Sequence, residues 1–411
     1  MFIRKIALSI FLIMFLFNVS VSPLLAAEPQ IEGRAAAVID SKSGQIIYGF
    51  QENVPLPPAS ITKILTAILA IEKTKPTDMV KIGKNPPLCE PSSIGLKEGE
   101  TISMENLLYA LMIKSANDSA VAIAEKISGS VPDFAKLMNK RAMELGATNT
   151  NFVNPNGLPD PNHHSTAHDL AIMAKYLMTD PLIRKIVSTK QKTIPRADDT
   201  AVKWLPNHNK MLWQYEGANG VKTGYTSEAK QCLVASAVRG NQEFIAVVLG
   251  SQGSNVWTDA TSLLDYGFNN FATIKQKDSN ILLKTVGVKK GSDDVGLITE
   301  KDFYYTLPKG QAGSVTEKVE VNSNITAPVK KGQVLGHIKF FLSSKELGSV
   351  NLVAQNNVAR TTFGAKYKGS SELPMIVGVV LLILFVGWNI VKRKNKYSRK
   401  TKWWHNRNGI R

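Results

Sequence analysis

The chain has 411 residues, 44% of them apolar and 20% charged, which excludes a disordered chain and exceeds what one core usually holds, so two domains with additional segments are expected. The net charge of +17 does not indicate a nucleic-acid partner. Nine positive charges lie beyond Val391 with no acid among them and two more are Arg4 and Lys5, leaving about six on the remainder.

Residues 1–27 read as a secretory signal: Arg4 and Lys5 precede an apolar run from Ile6 to Phe17, and Leu25-Ala26-Ala27 offers a cleavage site. An uncleaved anchor is the alternative. Apolar runs over Ala35–Asp40 and Gln45–Phe50 around Ser41-Lys-Ser-Gly44 predict a β-hairpin. Pro55, Pro57 and Pro58 then break the chain. Apolar positions 61, 64, 65, 68 and 69 predict a helix over Ser60–Glu72 with one buried face. Further helices fit Met104–Ile113, Ser119–Ile127, Asp133–Leu145 and Ala167–Met178. Thr166, with Asp169 three residues on, is a capping-box pattern for the last of these, Asp replacing the usual Glu. Strands fit Gly220–Tyr225, Gln231–Val238 and Phe244–Leu249, with Arg239-Gly-Asn241 as a tight turn, and a helix fits Val256–Phe268. Strands flank a helix-rich middle, and the first and last strands can share one sheet, giving an α+β domain over 31–273.

Beyond Thr273 the texture changes to short alternating runs, such as Lys318–Val321 and Gln333–Phe341, which predict a small all-β domain over 278–366. Gln355–Glu372 is a polar spacer. The apolar run Leu373–Val391 has 19 residues; at ~1.5 Å per residue it reaches about 28 Å, close to the ~30 Å of a bilayer core, so one C-terminal transmembrane helix is expected. Residues 392–411 form a basic tail that the positive-inside rule places in the cytoplasm, with the preceding domains outside. A nucleic-acid-binding tail is the alternative, weakened by the apolar run directly before it. Cys89 and Cys232 are the only cysteines; they make no disulfide framework, and either one bridge or two unpaired thiols fits.

Three short motifs carry the chemistry. Ser60-Ile-Thr-Lys63 puts a hydroxyl and an amine on one face of a helix start. A serine attacks only when a base takes its proton, and a lysine is that base only if burial or a neighbouring cation lowers its pKa. This pattern is expected about twice by chance in such a chain, and Ser227-Glu-Ala-Lys230 matches it too, but after a strand rather than at a helix start. Ser115-Ala-Asn117 falls between two helices, where a hydroxyl can relay a proton and an amide can hold a peptide group; a plain helix cap is the alternative. Lys222-Thr-Gly224 lies on a strand. Its cation and hydroxyl suit a carboxylate, and its glycine allows a ligand backbone close approach. Order and spacing, 55 residues from Ser60 to Ser115 and 105 from Asn117 to Lys222, join the three into the set used by class A β-lactamases and penicillin-binding proteins.

The sequence resembles the low-molecular-mass penicillin-binding proteins that are D-alanyl-D-alanine carboxypeptidases. The matching stretches are Pro58–Lys63, Leu111–Asp118, Phe152–Leu158 with Ser165–Leu170, and Asn219–Thr226. The resemblance implies a β-lactamase/transpeptidase-like catalytic domain, an antiparallel sheet with a helical subdomain, followed by the family's β domain as a stalk. It implies that Ser60 attacks the D-Ala-D-Ala carbonyl of the peptidoglycan stem peptide, that Lys63 takes its proton, and that Ser115 and Asn117 relay the proton and hold the peptide. Lys222 and Thr223 would bind the terminal carboxylate, the N–H groups of Ser60 and Tyr225 would form the oxyanion hole, and β-lactam antibiotics would acylate Ser60. No cofactor or metal is implied.

The chain departs from the family pattern in three places. Trp257 stands where many members carry an arginine for the carboxylate, Asn219 replaces a frequent Asp, and the usual amphipathic membrane helix is replaced by an apolar run. His163, His164 and His168 cluster without a zinc-binding pattern such as H-E-x-x-H. The rival readings are a β-lactamase, for which no E-x-x-L-N follows the second motif, an endopeptidase acting on cross-links, and a catalytically silent wall-binding module.

Overall fold

The computed structural model describes residues 28–90, 92–311, 314–361 and 373–405. The segment read as a signal, and the end of the basic tail, lie outside the described residues. The chain divides into two units, one of Met1–Lys277 with Phe303–Ser314, the other of Asp278–Asp302 with Val315–Arg411.

The first unit opens with β1 (Ala35–Asp40) and β2 (Ile46–Phe50), an antiparallel pair. A single 3₁₀ turn, Ala59–Thr62, then leads into α1 (Lys63–Lys73). Ser60 therefore sits on the 3₁₀ turn and not in the α-helix expected from Ser60 on. Ala59, at the head of this turn, has a φ of 49°, in the left-handed region. Strands β3 (Met79–Lys81) and β4 (Thr101–Ser103) pair, and α2 (Met104–Met112), α3 (Asn117–Ser128), α4 (Val131–Glu144) and α5 (Ala167–Leu177) follow. The Thr166 hydroxyl accepts from Asp169 N–H at 3.0 Å, so the α5 cap forms as expected. An unanticipated helix, α6 (Pro181–Ser188), is capped by Asp180. Next come the short pair β5 (Gln191–Thr193) and β6 (Trp204–Pro206) and one turn of helix, α7 (Met211–Gln214). The unit continues with β7 (Ala218–Thr226), β8 (Lys230–Arg239), β9 (Gln242–Ser251), α8 (Asn255–Asn270) and β10 (Phe271–Lys277).

The main sheet runs β2-β1-β9-β8-β7, all antiparallel, so the first and last strands share one sheet and β7 is an edge strand. Side chains alternate faces along a strand. Ala35, Ala37 and Ile39 face the helical side with α1, α2 and α5, whereas Ala36 and Val38 face α8. Burial on both faces explains why β1 reads as a continuous apolar run and not as an alternation.

The second unit is a five-stranded antiparallel sheet in the order β11-β12-β16-β15-β14. Its strands are β11 (Leu282–Val286), β12 (Val295–Thr299), β14 (Val315–Val321), β15 (Val334–Leu342) and β16 (Lys345–Ala354). Leu297, Ile338, Phe340, Val350 and Leu352 are buried. The strand between β12 and β14, β13 (Phe303–Pro308), leaves this sheet to pair with β10 in the first unit.

The C-terminal apolar run and the basic residues as far as Lys402 form one helix, α9 (Leu373–His405). Among the described residues no helix is long and apolar enough to cross a membrane, so the expected span is not supported there.

Candidate active site

The three motifs meet at one cleft in the first unit. It is lined by Ser60, Ser115, Asn117, Thr223, Gly224 and Tyr225, and by Ser92, Asn156, Gly157, Leu158, His208 and Trp257, with about 790 Å³ of empty space. The 3₁₀ turn contributes Ser60, the α2–α3 link Ser115, the first residue of α3 Asn117, and the edge strand β7 the last motif.

Lys63 is fully buried. Its Nζ lies 2.8 Å from Ser60 Oγ, 2.7 Å from Asn117 Oδ1 and 2.8 Å from the Asn156 backbone carbonyl. Burial, and next the Lys222 cation, push its pKa well below the ordinary lysine value. The neutral amine has two N–H bonds and one lone pair. The two carbonyl oxygens can only accept, so they take both N–H bonds, and the lone pair is left facing the Ser60 hydroxyl. In the neutral form of Lys63 this geometry makes Ser60 the donor and Lys63 the acceptor, the arrangement a general base requires.

Lys222 is also buried, and burial pushes its pKa down to about 7. Its Nζ donates to Ser115 Oγ at 2.8 Å and to the Thr223 carbonyl at 2.7 Å. Ser115 has a φ of 64°, which turns its hydroxyl from the α2 end toward that amine. Two short networks therefore line the cleft floor, Ser60–Lys63–Asn117 on one side and Ser115–Lys222 on the other.

The glycine of the third motif also makes room for the chain itself. A Cβ at Gly224 would lie 3.0 Å from Ser60 N and 3.1 Å from Ile61 N. The space it leaves is taken by the chain's own nucleophile-bearing turn, which packs directly on β7. Tyr225 is 60% exposed at the lip, and Lys210 Nζ lies 5.9 Å from the centre of the Trp257 ring.

Residues 23–253 match the Peptidase S11 family, D-alanyl-D-alanine carboxypeptidase, and residues 270–360 match the C-terminal domain of penicillin-binding protein 5. The chain belongs to the D-alanyl-D-alanine carboxypeptidases. This carboxypeptidase is 37% identical over 340 residues to the D-alanyl-D-alanine carboxypeptidase DacF of Bacillus subtilis, covering 81% of this chain and 87% of that one. It is 35% identical over 375 residues to DacA of Haemophilus influenzae, with 86% and 93% covered. The crystal structure of penicillin-binding protein 5 from Haemophilus influenzae aligns with a TM-score of 0.67 at 34% identity, over 82% of this chain and 100% of that one. The first unit of the carboxypeptidase has the transpeptidase-like α+β fold, and the second is the family's C-terminal β domain.

Sequence reasoning gave no role to the carboxypeptidase's Asn156 and Gly157, although they lie in the Phe152–Leu158 stretch that carries the resemblance. The turn within it is closed by Asn154 Oδ1, which accepts from Gly157 N at 2.7 Å, and is pinned to α1 by Thr66 Oγ1 donating to the Pro155 carbonyl at 2.6 Å. Asp118 stands in the first turn of α3 and does more than complement the helix start. Its buried carboxylate accepts from the N–H groups of Ile94, Leu96 and Ser119, each at 3.0 Å or less. Asn117 Nδ2 donates to the Glu90 carbonyl at 2.9 Å and Asn117 N to the Ser92 carbonyl at 2.7 Å. Arg196 closes the same loop from outside, with a two-pronged pair to Glu100 and bonds to the Ile94 and Gly95 carbonyls. Together these fix the Asn117 amide with its oxygen toward Lys63.

Cys89 and Cys232 are both free thiols. Among the described residues no cluster of three His, Cys, Asp or Glu side chains is arranged to hold a metal. His168 Nδ1 lies 3.2 Å from Asp169 Oδ1, and His163 is turned inward.

Proposed function

We propose that Ser60 is the nucleophile of the D-Ala-D-Ala carboxypeptidase reaction, with Lys63 as its base. The observation that carries this reading is the 2.8 Å contact between Ser60 Oγ and a lysine whose other two contacts are carbonyl oxygens. Ser60 Oγ attacks the penultimate D-Ala carbonyl of the stem peptide and its proton passes to Lys63. The carbon–nitrogen bond then breaks as the proton held by Lys63 passes through the Ser115 hydroxyl to the leaving D-Ala nitrogen; water attacks the ester carbonyl, giving a proton to Lys63, which returns it to Ser60 Oγ as the ester bond breaks. The N–H groups of Ser60 and Tyr225 stabilise the oxyanion; losing one such donor typically costs ~10²–10³ in rate. Asn117 holds the peptide. Lys222 and Thr223 bind the terminal carboxylate, and Lys210, over the Trp257 ring, brings a second cation to the end of the cleft where the resemblance implied an arginine. β-Lactams, which carry an acylating carbonyl beside a carboxylate, acylate the same serine.

The test is release of D-Ala from a stem pentapeptide by the soluble chain from Glu28 to Gly369. Wild type is expected to release D-Ala and to be labelled by a tagged penicillin, and Ser60→Ala to do neither. Release of D-Ala by Ser60→Ala would sink the assignment, and rapid penicillin turnover would favour the β-lactamase reading.

We further propose that the enzyme is exported and held at the cell membrane by its C-terminal helix, with the catalytic unit outside and the basic tail inside. The support is the apolar run Leu373–Val391 with nine basic residues after it, and the exposure of its large apolar side chains from Val377 to Val391. The full chain is expected to sediment with membranes and to resist an alkaline carbonate wash, whereas a chain ending at Gly369 stays in the supernatant. A full chain stripped by carbonate overturns the anchor.

A further inference from the structure

His163 is 3% exposed and lies within the first unit, yet nothing in the reaction above uses it. Its two ring nitrogens are both engaged. Nδ1 lies 3.1 Å from the backbone N of Val153, and Nε2 lies 2.8 Å from Thr62 Oγ1. A backbone N–H can only donate, so Nδ1 must be the unprotonated nitrogen and the ring proton resides on Nε2. Burial pushes the imidazole pKa down to about 4, so this neutral tautomer is the form present near neutrality. Nε2–H donates to Thr62 Oγ1, and the Thr62 hydroxyl in turn donates to the Ala59 carbonyl at 2.8 Å. Every bond in the chain Val153–His163–Thr62–Ala59 therefore has a fixed direction.

The end of that chain is the residue before Ser60. Ala59 carries a side chain at a φ of 49°, a conformation that costs free energy and persists only when its surroundings enforce it. The 3₁₀ turn has no side-chain cap of its own at its N-terminus. The Ala59 carbonyl is held by the Thr62 hydroxyl on one side and is packed against Gly157 on the other, where even a Cβ would come within 1.9 Å of it. Phe152 fixes the imidazole plane, its ring centroid 5.0 Å from that of His163.

We propose that His163 is a positioning residue for the reaction: acting through Thr62, it holds the Ala59–Ser60 turn in the one conformation that keeps Ser60 Oγ against Lys63 Nζ. This rests on Ser60 being the nucleophile. The effect falls on the chemical step, because His163 does not line the cleft. A displacement of about 1 Å at a reacting atom can cost on the order of 10²-fold in rate.

The experiment measures the saturating rate constant for acylation by a penicillin, and the concentration giving half of it, on the soluble chain. H163F keeps the ring packing but cannot bond, T62V removes the linking hydroxyl, and H163Q keeps both a donor and an acceptor. H163F and T62V are each expected to slow saturating acylation by about 10–100-fold with half-saturation within about twofold. The double variant should be no slower than the worse single, because the two residues act through one chain of bonds. H163Q should recover most of the rate. A single variant within about twofold of wild type, multiplying losses in the double variant, or no recovery in H163Q overturns the proposal. Should H163F not fold, as judged by thermal unfolding, T62V and H163Q decide by the same criteria. The outcomes separate from those of the underlying assignment: wild type that is never acylated removes Ser60 as nucleophile, whereas acylated wild type with unaffected variants removes only the role of His163.

Discussion

Lys63→Ala is expected to lower both D-Ala release and acylation of Ser60 by about 10³-fold or more, within the range that general-base removal reaches. The substitution deletes the acceptor of the serine proton and leaves Asn117 Oδ1 and the Asn156 carbonyl without the amine that bridges them. Lys63→Arg is expected to fare no better, since a guanidinium keeps its proton and has no lone pair to offer. The pH dependence follows in sign. The base works in its neutral form, so kcat/KM rises as pH climbs through the lowered Lys63 value. Lys222 has the opposite requirement, because its cation holds the carboxylate, and its pKa of about 7 predicts a fall in kcat/KM as pH rises past neutrality. A bell-shaped profile results, its two limbs belonging to the coupled pair of amines. A kcat/KM profile of the wild type from about pH 5 to pH 10, flat on its acid side, would falsify the role of Lys63 as base.

Gly157→Ala is expected to be the most damaging substitution of a residue with no reactive group. The added methyl carbon would stand 1.9 Å from the Ala59 oxygen and 2.4 Å from its carbon, both backbone atoms that cannot swing aside, and φ at this position is 85°. The turn bearing Ser60 must move or the Asn154–Leu158 segment must lift from α1. A loss of roughly 3 kcal/mol or more in unfolding free energy is expected, with acylation reduced further in the protein that remains folded. Gly95→Ala supplies the control, having a φ of 62° but nothing within 4 Å, so only a conformational cost of about 1 kcal/mol applies. Denaturant midpoints of the two variants, measured beside wild type, check the contrast, and equal losses would show that the clash is relieved.

What the sequence made legible, and what it did not, divides along physical lines. Motif order placed Ser60, Ser115, Asn117, Lys222 and Thr223 in one cleft, because each lies at a start, link or edge that local patterning reveals. The two-sided burial of β1 was readable from its unbroken apolar run. Asn156 and Gly157 were marked only as part of a matching stretch, because a tight turn looks the same whether it faces solvent or the back of a nucleophile. The wider role of Asp118 stayed hidden because two of its three amide partners, Ile94 and Leu96, lie in a loop some 22 residues earlier that must fold back. His163 was read with His164 and His168 as a cluster lacking a zinc-binding pattern, since sequence proximity cannot say which ring turns inward. The strand Phe303–Pro308 alternates as its neighbours do, and only its pairing with Phe271–Lys277 assigns it to the first unit.

The burial of Lys63 has one more consequence. In an unfolded chain this lysine is hydrated, keeps its ordinary pKa and stays protonated near neutrality, so Ser60 is an inert alcohol. The reactive serine comes into being only once α1, α3 and the Asn154–Leu158 segment have closed around the amine. Folding is therefore the activation step, and no separate trigger such as cleavage is needed to keep a partly folded chain harmless. An acylating probe then acts as a conformational sensor. Its incorporation counts native molecules one by one and should decline along a denaturant series together with the tertiary fold, ahead of any loss of helix content.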